Sequence, residues 1–163
     1  EAVKKDGRAF RFAAVDLRAD PTVVLEAIRT WGPWGSALEY AADDIKKDPT
    51  VVRQAVKKNA RALQYAADNV KVDPTVVLEA VKKDGRAFRF AAVDLRADPT
   101  VVLEAIRTWG PWGSALEYAA DDIKKDPTVV RQAVKKNARA LQYAADNVKV
   151  DPTVVLEAVK KDG

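Results

Sequence analysis

Few side chains in this chain could do chemistry, and their spacing narrows the field further. Histidine and cysteine are absent, which removes the usual general base, the thiolate nucleophile and the commonest metal ligands. Asp43, Asp44 and Glu26 come nearest to a carboxylate pair. Asp43 and Asp44, however, are neighbours in sequence, and neighbours on a helix point in different directions, so a solvated surface is the reading adopted. Ser36 and Ser114 are the only serines. Each opens a Ser-x-x-Glu pattern (Ser36-Ala37-Leu38-Glu39 in the first case), a capping box in which serine and glutamate satisfy first-turn amides of a helix. No glycine-rich phosphate loop and no metal-ligand spacing is present. The expectation is a non-enzymatic chain with no catalytic, metal or cofactor residues and no cofactor.

The remaining candidates are residues that make contacts. Trp31 and Trp34 lie in TWGPWGSALEY at residues 30–40, which recurs unchanged at 108–118 and supplies Trp109 and Trp112. Two readings stay open. The rings fold over the end of a hairpin and cover apolar surface, or they stand out as an aromatic contact patch, a common element of binding hot spots. Gly32, Pro33 and Gly35 would supply the backbone angles of a longer turn. Lys57, Lys58 and Arg61, with Lys82, Lys83 and Arg86, form a possible basic edge able to attract phosphates. The plainer reading is charge that complements helix C-termini on a solvated surface. The net charge of +4 is too mild to imply nucleic acid by itself.

The elements that would position these residues are set by internal repetition. Residues 1–78 are identical to 79–156, and 157–163 begin a third copy. Within each block Asp-Pro-Thr returns at Asp20, Asp48, Asp73, Asp98, Asp126 and Asp151, at spacings of 28, 25, 25, 28 and 25. These aspartates read as helix N-caps, each followed by proline at the first helical position. Val51, Val52, Ala55 and Val56 then make an apolar stripe at helical spacing, and Lys57 and Lys58 close the helix. Asn59, or the Asp84-Gly85 pair in the next unit, marks a turn. A second helix is expected through Ala62, Leu63, Ala66, Ala67 and Val70, with Tyr65 at its border. The paired alanines would let neighbouring helices come close.

Helices of this length are marginal alone, so stability must come from stacking. The expected fold is all-α: an α-solenoid of stacked helical hairpins, about six units of 25, 25 and 28 residues, forming one repeat array over residues 1–163. The segment DPTVVLEAVKKDGRAFRFAA, residues 73–92, resembles a family of short helical tandem repeats, found mainly in bacterial proteins and catalogued as a domain of unknown function. The resemblance spans essentially the whole chain. It implies an all-α array and no catalytic residues. The units at Asp48 and Asp126 depart from the pattern with Asn-Ala in place of Asp-Gly.

Natural tandem repeats drift and end in polar caps. Identity over 78 residues therefore points to an engineered array, with a recent gene duplication as the alternative, and the missing methionine at position 1 points to a piece of a longer product. The chain is expected to be a structural scaffold. Its partially formed first and last hairpins would favour head-to-tail self-association into a ring or filament, or closure into a six-hairpin toroid. A protein-binding solenoid, using its concave face or the tryptophan turns on a protein or peptide ligand, is the alternative. A nucleic-acid-binding array comes third. No apolar run reaches the roughly 18 residues of a membrane span and no signal-peptide pattern opens the chain, so no membrane partner is expected.

Overall fold

The computed structural model describes residues 2–32, 36–110 and 113–162. Every regular element among them is helical, and none of those helices is long and apolar enough to cross a membrane. The chain divides into two compact units, Glu1–Lys83 and Asp84–Gly163.

One repeat is a helix of ten residues, a 3-10 helix, and a single α-turn. In the repeat that opens at Asp48, the aspartate side chain accepts from Thr50 N at 2.8 Å. The helix Pro49–Lys58 then begins with proline where no intrahelical donor is needed. Its stripe of Val51, Val52, Ala55 and Val56 is buried. Asn59 stops the helix by turning extended at φ −142°, ψ 111°, and its side chain accepts from Arg61 N at 3.1 Å to start the next element. One residue thus both ends the long helix and caps the 3-10 helix after it. Asp84, in the Asp-Gly version of this turn, has φ −151°, ψ 110° and accepts from Arg86 N at 3.1 Å. The Asn-Ala and Asp-Gly turns therefore share one geometry, because the capping oxygen is common to both.

The second half of the repeat differs from the continuous α-helix expected between Ala62 and Val70. Ala60–Tyr65 is a 3-10 helix, Ala66 and Ala67 are extended, and Asp68–Lys71 is one separate α-turn. With three residues per turn, positions 60, 63 and 66 share a face, and Ala60, Leu63 and Ala66 are buried. The break at Ala66-Ala67 frees an amide for use outside the repeat: Ala67 N donates to Lys46 O of the preceding repeat at 3.0 Å. Ala42 N donates to Arg18 O at 2.9 Å, Ala120 N to Arg96 O at 2.9 Å, and Ala145 N to Lys124 O at 3.0 Å. Asn69 adds a second link, its side-chain amide donating to Lys47 O at 2.9 Å. The small alanines permit this approach, and a main-chain hydrogen bond is its product.

In the first unit the helices Ala2–Lys5, Pro21–Thr30, Pro49–Lys58 and Pro74–Lys83 pack in succession, and the 3-10 segments Gly7–Phe12, Ala37–Tyr40 and Ala60–Tyr65 pack in a parallel succession beside them. In the second unit Pro99–Thr108, Pro127–Lys136 and Pro152–Asp162 form one row, and Gly85–Phe90, Ala115–Glu117 and Ala138–Tyr143 form the other. The core of each unit is the seam between its two rows, filled by valines and alanines of the long helices and by residues such as Phe10, Leu38, Leu63, Phe88 and Leu116. Within each unit a repeat thus owes its order to its neighbours in the stack, the quasi-one-dimensional arrangement of a solenoid.

Gly85 is buried at the start of its 3-10 helix. No described glycine has a positive φ, so the turn itself does not require glycine there. Close approach does. A Cβ on Gly85 would lie 2.5 Å from Trp109 N and 2.7 Å from Ala105 O, and one on Gly7 would lie 2.5 Å from Trp31 N and from Ala27 O. Glycine stands where the end of a tryptophan-terminated helix presses on the preceding 3-10 segment.

Candidate interaction surfaces

The tryptophan-bearing turns are built largely inward. Trp31 caps the end of Pro21–Thr30 in extended conformation and is only 8% exposed. Its indole stacks on Tyr40 with ring centroids 5.7 Å apart and an interplanar angle of 24°. Trp109 repeats this on Tyr118 at 5.7 Å and 25°, and is 9% exposed. The contact-patch reading therefore fails for Trp31 and Trp109. Both rings are buried and stacked at the ends of their helices. Trp34 and Trp112, with Pro33, Gly35 and Pro111, lie outside the described residues. Past the turn, Ser36 is buried and its hydroxyl accepts from Leu38 N at 3.2 Å. Ser114 does the same for Leu116 N at 3.2 Å. Glu39 meets the Tyr65 hydroxyl; burial, and then this carboxylate, push the Tyr65 phenol above its ordinary value. The second tryptophan turn is tied down from the following repeat, where the Asn137 side-chain amide donates to Gly113 O at 2.9 Å.

The six candidate capping aspartates hold helix N-termini. Asp20, Asp48, Asp73, Asp98, Asp126 and Asp151 each accept from the main-chain amide two residues on, at 2.7–2.8 Å. The Asp151 carboxyl is held below its usual range by the Thr153 hydroxyl and amide. The three candidate carboxylates of the sequence form surface pairs. Asp43 and Asp44 are 89% and 92% exposed at the side chain and reach Lys46 at 3.8 Å and Lys47 at 3.2 Å, while Glu26 binds Arg29 at 2.7 Å. Among the described residues no group of carboxylates could hold a metal ion.

The candidate basic residues are each exposed, Lys57, Lys58, Arg61, Lys82 and Lys83 in the first unit and Arg86 in the second, but part of their charge is already matched. Glu79 receives Arg53 at 3.0 Å and Lys57 at 3.5 Å, and Asp84 receives Arg86 at 2.8 Å. Burial pushes the Glu79 carboxyl up, yet the Arg53 hydrogen bond and the nearby Lys57 charge outweigh it and leave the carboxyl below its ordinary value.

Matches to the family described as a domain of unknown function, DUF4116, fall at residues 34–71, 73–124, 101–149 and 126–163. They run in tandem, the last three overlapping. The chain belongs to this family. No curated protein and no solved structure matches it. The DUF4116 matches fall in both units, and two of them run across the second tryptophan turn.

Two grooves between long helices escaped the sequence reading. One lies between Pro99–Thr108 and Pro127–Lys136 and encloses about 520 Å³ over Leu103, Ile106 and Val129. The other lies between Pro49–Lys58 and Pro74–Lys83 and encloses about 470 Å³ beside Arg53, Leu78 and Glu79. A signal for them was visible. The position occupied by Leu25, Leu78, Leu103 and Leu156 carries arginine at Arg53 and Arg131. A site that accepts both leucine and arginine is a surface site, and leucine there is apolar area off the core stripe.

Proposed function

We propose that this DUF4116 chain is a non-catalytic scaffold whose repeats stack on repeats of their own kind, so that copies associate head to tail. One observation carries the reading: positions that other repeats bury are open in the first hairpin of the first unit and the last helix of the second. Val159 is 64% exposed, whereas Val134, at the same position one repeat earlier, is at 0%. Leu17 is 46% exposed, whereas its counterparts Ile45 and Val70 are at 4% and 1%. Phe12, at 76%, widens the open face of the first hairpin, whereas its counterparts Tyr40 and Phe90 are half-buried. Such faces fit a like repeat because the chain's own repeats already pack that way. A contact between two different faces propagates into a ring or a filament. The identity of the two 78-residue blocks supports assembly of the array by duplication, deliberate or recent, and preserves that fit at every junction.

Light scattering coupled to size exclusion, run on the 163-residue chain from micromolar to millimolar concentration, tests the proposal. The expected outcome is an average mass that rises with concentration. Val159→Glu should hold the mass at that of one chain, because it places a charge on an apolar junction. A single-chain mass at every concentration for the unaltered protein overturns the reading.

A further inference from the structure

We propose that the groove between the Pro99–Thr108 and Pro127–Lys136 helices docks an acidic, amphipathic peptide segment of a partner protein. The floor is apolar and layered. Ile106 and Val129 are almost closed off, at 6% and 5% exposure, and Leu103 stands over them at 41%. Leu103 occupies the outward position that Arg131 holds in the following helix, so it contributes apolar area to the groove rather than to the core.

The rim is basic, and among the described residues no carboxylate lines the groove. Arg107, on the Pro99–Thr108 helix, is paired with Glu104 at 2.5 Å, and the Lys136 ammonium reaches over from the facing helix to donate to Arg107 O at 3.1 Å. Lys135 completes the rim and is exposed. Thr128 and Gln132, also exposed, offer a hydroxyl and an amide to a bound main chain. Apolar anchors over an apolar floor, with acidic residues toward cations, is the pattern of helix-in-groove recognition, and the charge arrangement sets orientation and encounter rate. A nucleic acid would use the cations and leave the floor unfilled.

The first unit supplies two comparisons. The groove beside Leu78 is lined by Arg53, Lys82 and Glu79, and Glu79 pairs with Arg53 at 3.0 Å. With a carboxylate in its own lining, that groove attracts an acidic ligand less than one lined by cations alone. Leu25, Ile28, Val51 and Lys57, between Pro21–Thr30 and Pro49–Lys58, repeat the sequence of the proposed site, but Lys57 is engaged by Glu79 at 3.5 Å. The second-unit groove is therefore the stronger of the twins. It involves neither Leu17 nor Val159, so its occupancy is separable from self-association.

Fluorescence anisotropy tests it with a labelled, end-blocked peptide of leucine and glutamate, about ten residues long, arranged as one amphipathic helix. Measurements are made at a protein concentration where scattering reports a constant mass. Saturable binding is expected, weakening as salt is added. Lys135→Glu should raise Kd roughly tenfold, and Leu103→Glu should abolish binding; both changes lie at exposed positions, and far-ultraviolet circular dichroism reports retention of the fold. Lys135→Ala, with a smaller loss, serves should the reversal of charge unfold the chain. The proposal is overturned by absence of saturation, by unchanged affinity in both Lys135 variants, by equal affinity for a leucine-free polyglutamate, or by stronger binding to single-stranded DNA than to the peptide.

Discussion

Replacing Gly85 with alanine adds one methyl group, and the structure dictates where it must go. The new Cβ would meet Trp109 N at 2.5 Å, Ala105 O at 2.7 Å and Thr108 C at 2.8 Å. All three are main-chain atoms, so no side chain can swing aside. Trp109 N also donates to Ala105 O at 2.8 Å, which puts the intruding methyl against the last hydrogen bond of the Pro99–Thr108 helix. Overpacking of this kind costs about 1–3 kcal/mol, and loosening the bond adds about 1 kcal/mol. Against this, alanine reduces the freedom of the unfolded chain, worth about 0.4–1 kcal/mol in favour of folding. The net expectation is destabilisation by about 1–3 kcal/mol. Gly110→Ala is the matched control. A Cβ there meets nothing within 4 Å and the glycine has no positive φ, so stability should hold or rise by a few tenths of a kcal/mol, roughly the entropic gain alone. Urea unfolding followed by circular dichroism compares the two variants with the parent chain. A Gly85→Ala chain with an unchanged or higher midpoint would refute the close-approach argument.

Three further outcomes are expected. Asp126→Ala removes an oxygen that accepts from Thr128 N at 2.8 Å and Val129 N at 3.4 Å; urea midpoints should report a loss of about 1 kcal/mol, and Asp126→Asn should restore most of it. Trp109→Ala empties the seam end where the indole is 9% exposed and stacked on Tyr118, and thermal unfolding should show a cost of about 3–5 kcal/mol. Acid should weaken the first unit through Glu79. Its folded carboxyl lies below its ordinary value, with burial opposing and the Arg53 hydrogen bond and Lys57 prevailing. This contribution is therefore complete above the ordinary glutamate range and disappears as pH falls through the lowered folded value. Urea midpoints taken between neutral and acidic pH should fall less steeply in Arg53→Met than in the parent.

The residues that were legible in the sequence are those whose reasons lie within one repeat. Val51, Val52, Ala55 and Val56 announce a buried stripe by spacing alone, and Asp-Pro-Thr announces its cap because the acceptor and the amide are two residues apart. The stacking of units could be inferred because such short helices need neighbours. The features that the sequence hid depend on partners more than a dozen residues away. Ala66 and Ala67 sit in a run of good helix formers, and local propensity extends the helix through them. The helix breaks there because Lys46 O, one repeat earlier, takes the Ala67 amide at 3.0 Å. Gly85 beside Asp84 resembles a turn glycine, but its reason is the Trp109 main chain, 24 residues downstream by the numbering.

The same division governs the candidate surfaces. Trp31 could not be assigned to the seam or to solvent without knowing that Tyr40 lies under it, whereas the groove at Leu103 was hinted at by leucine and arginine sharing one position. In a stacked array the local rules shape each hairpin, and the junctions decide which apolar residues are used up and which are left over. Leu103 and Val159 are both left over, but for different reasons. Val159 occupies a position that is buried at Val134 one repeat earlier, and under the proposed self-association a like repeat would cover it. Leu103 occupies a surface position between two stacked helices, where the proposed peptide would use it.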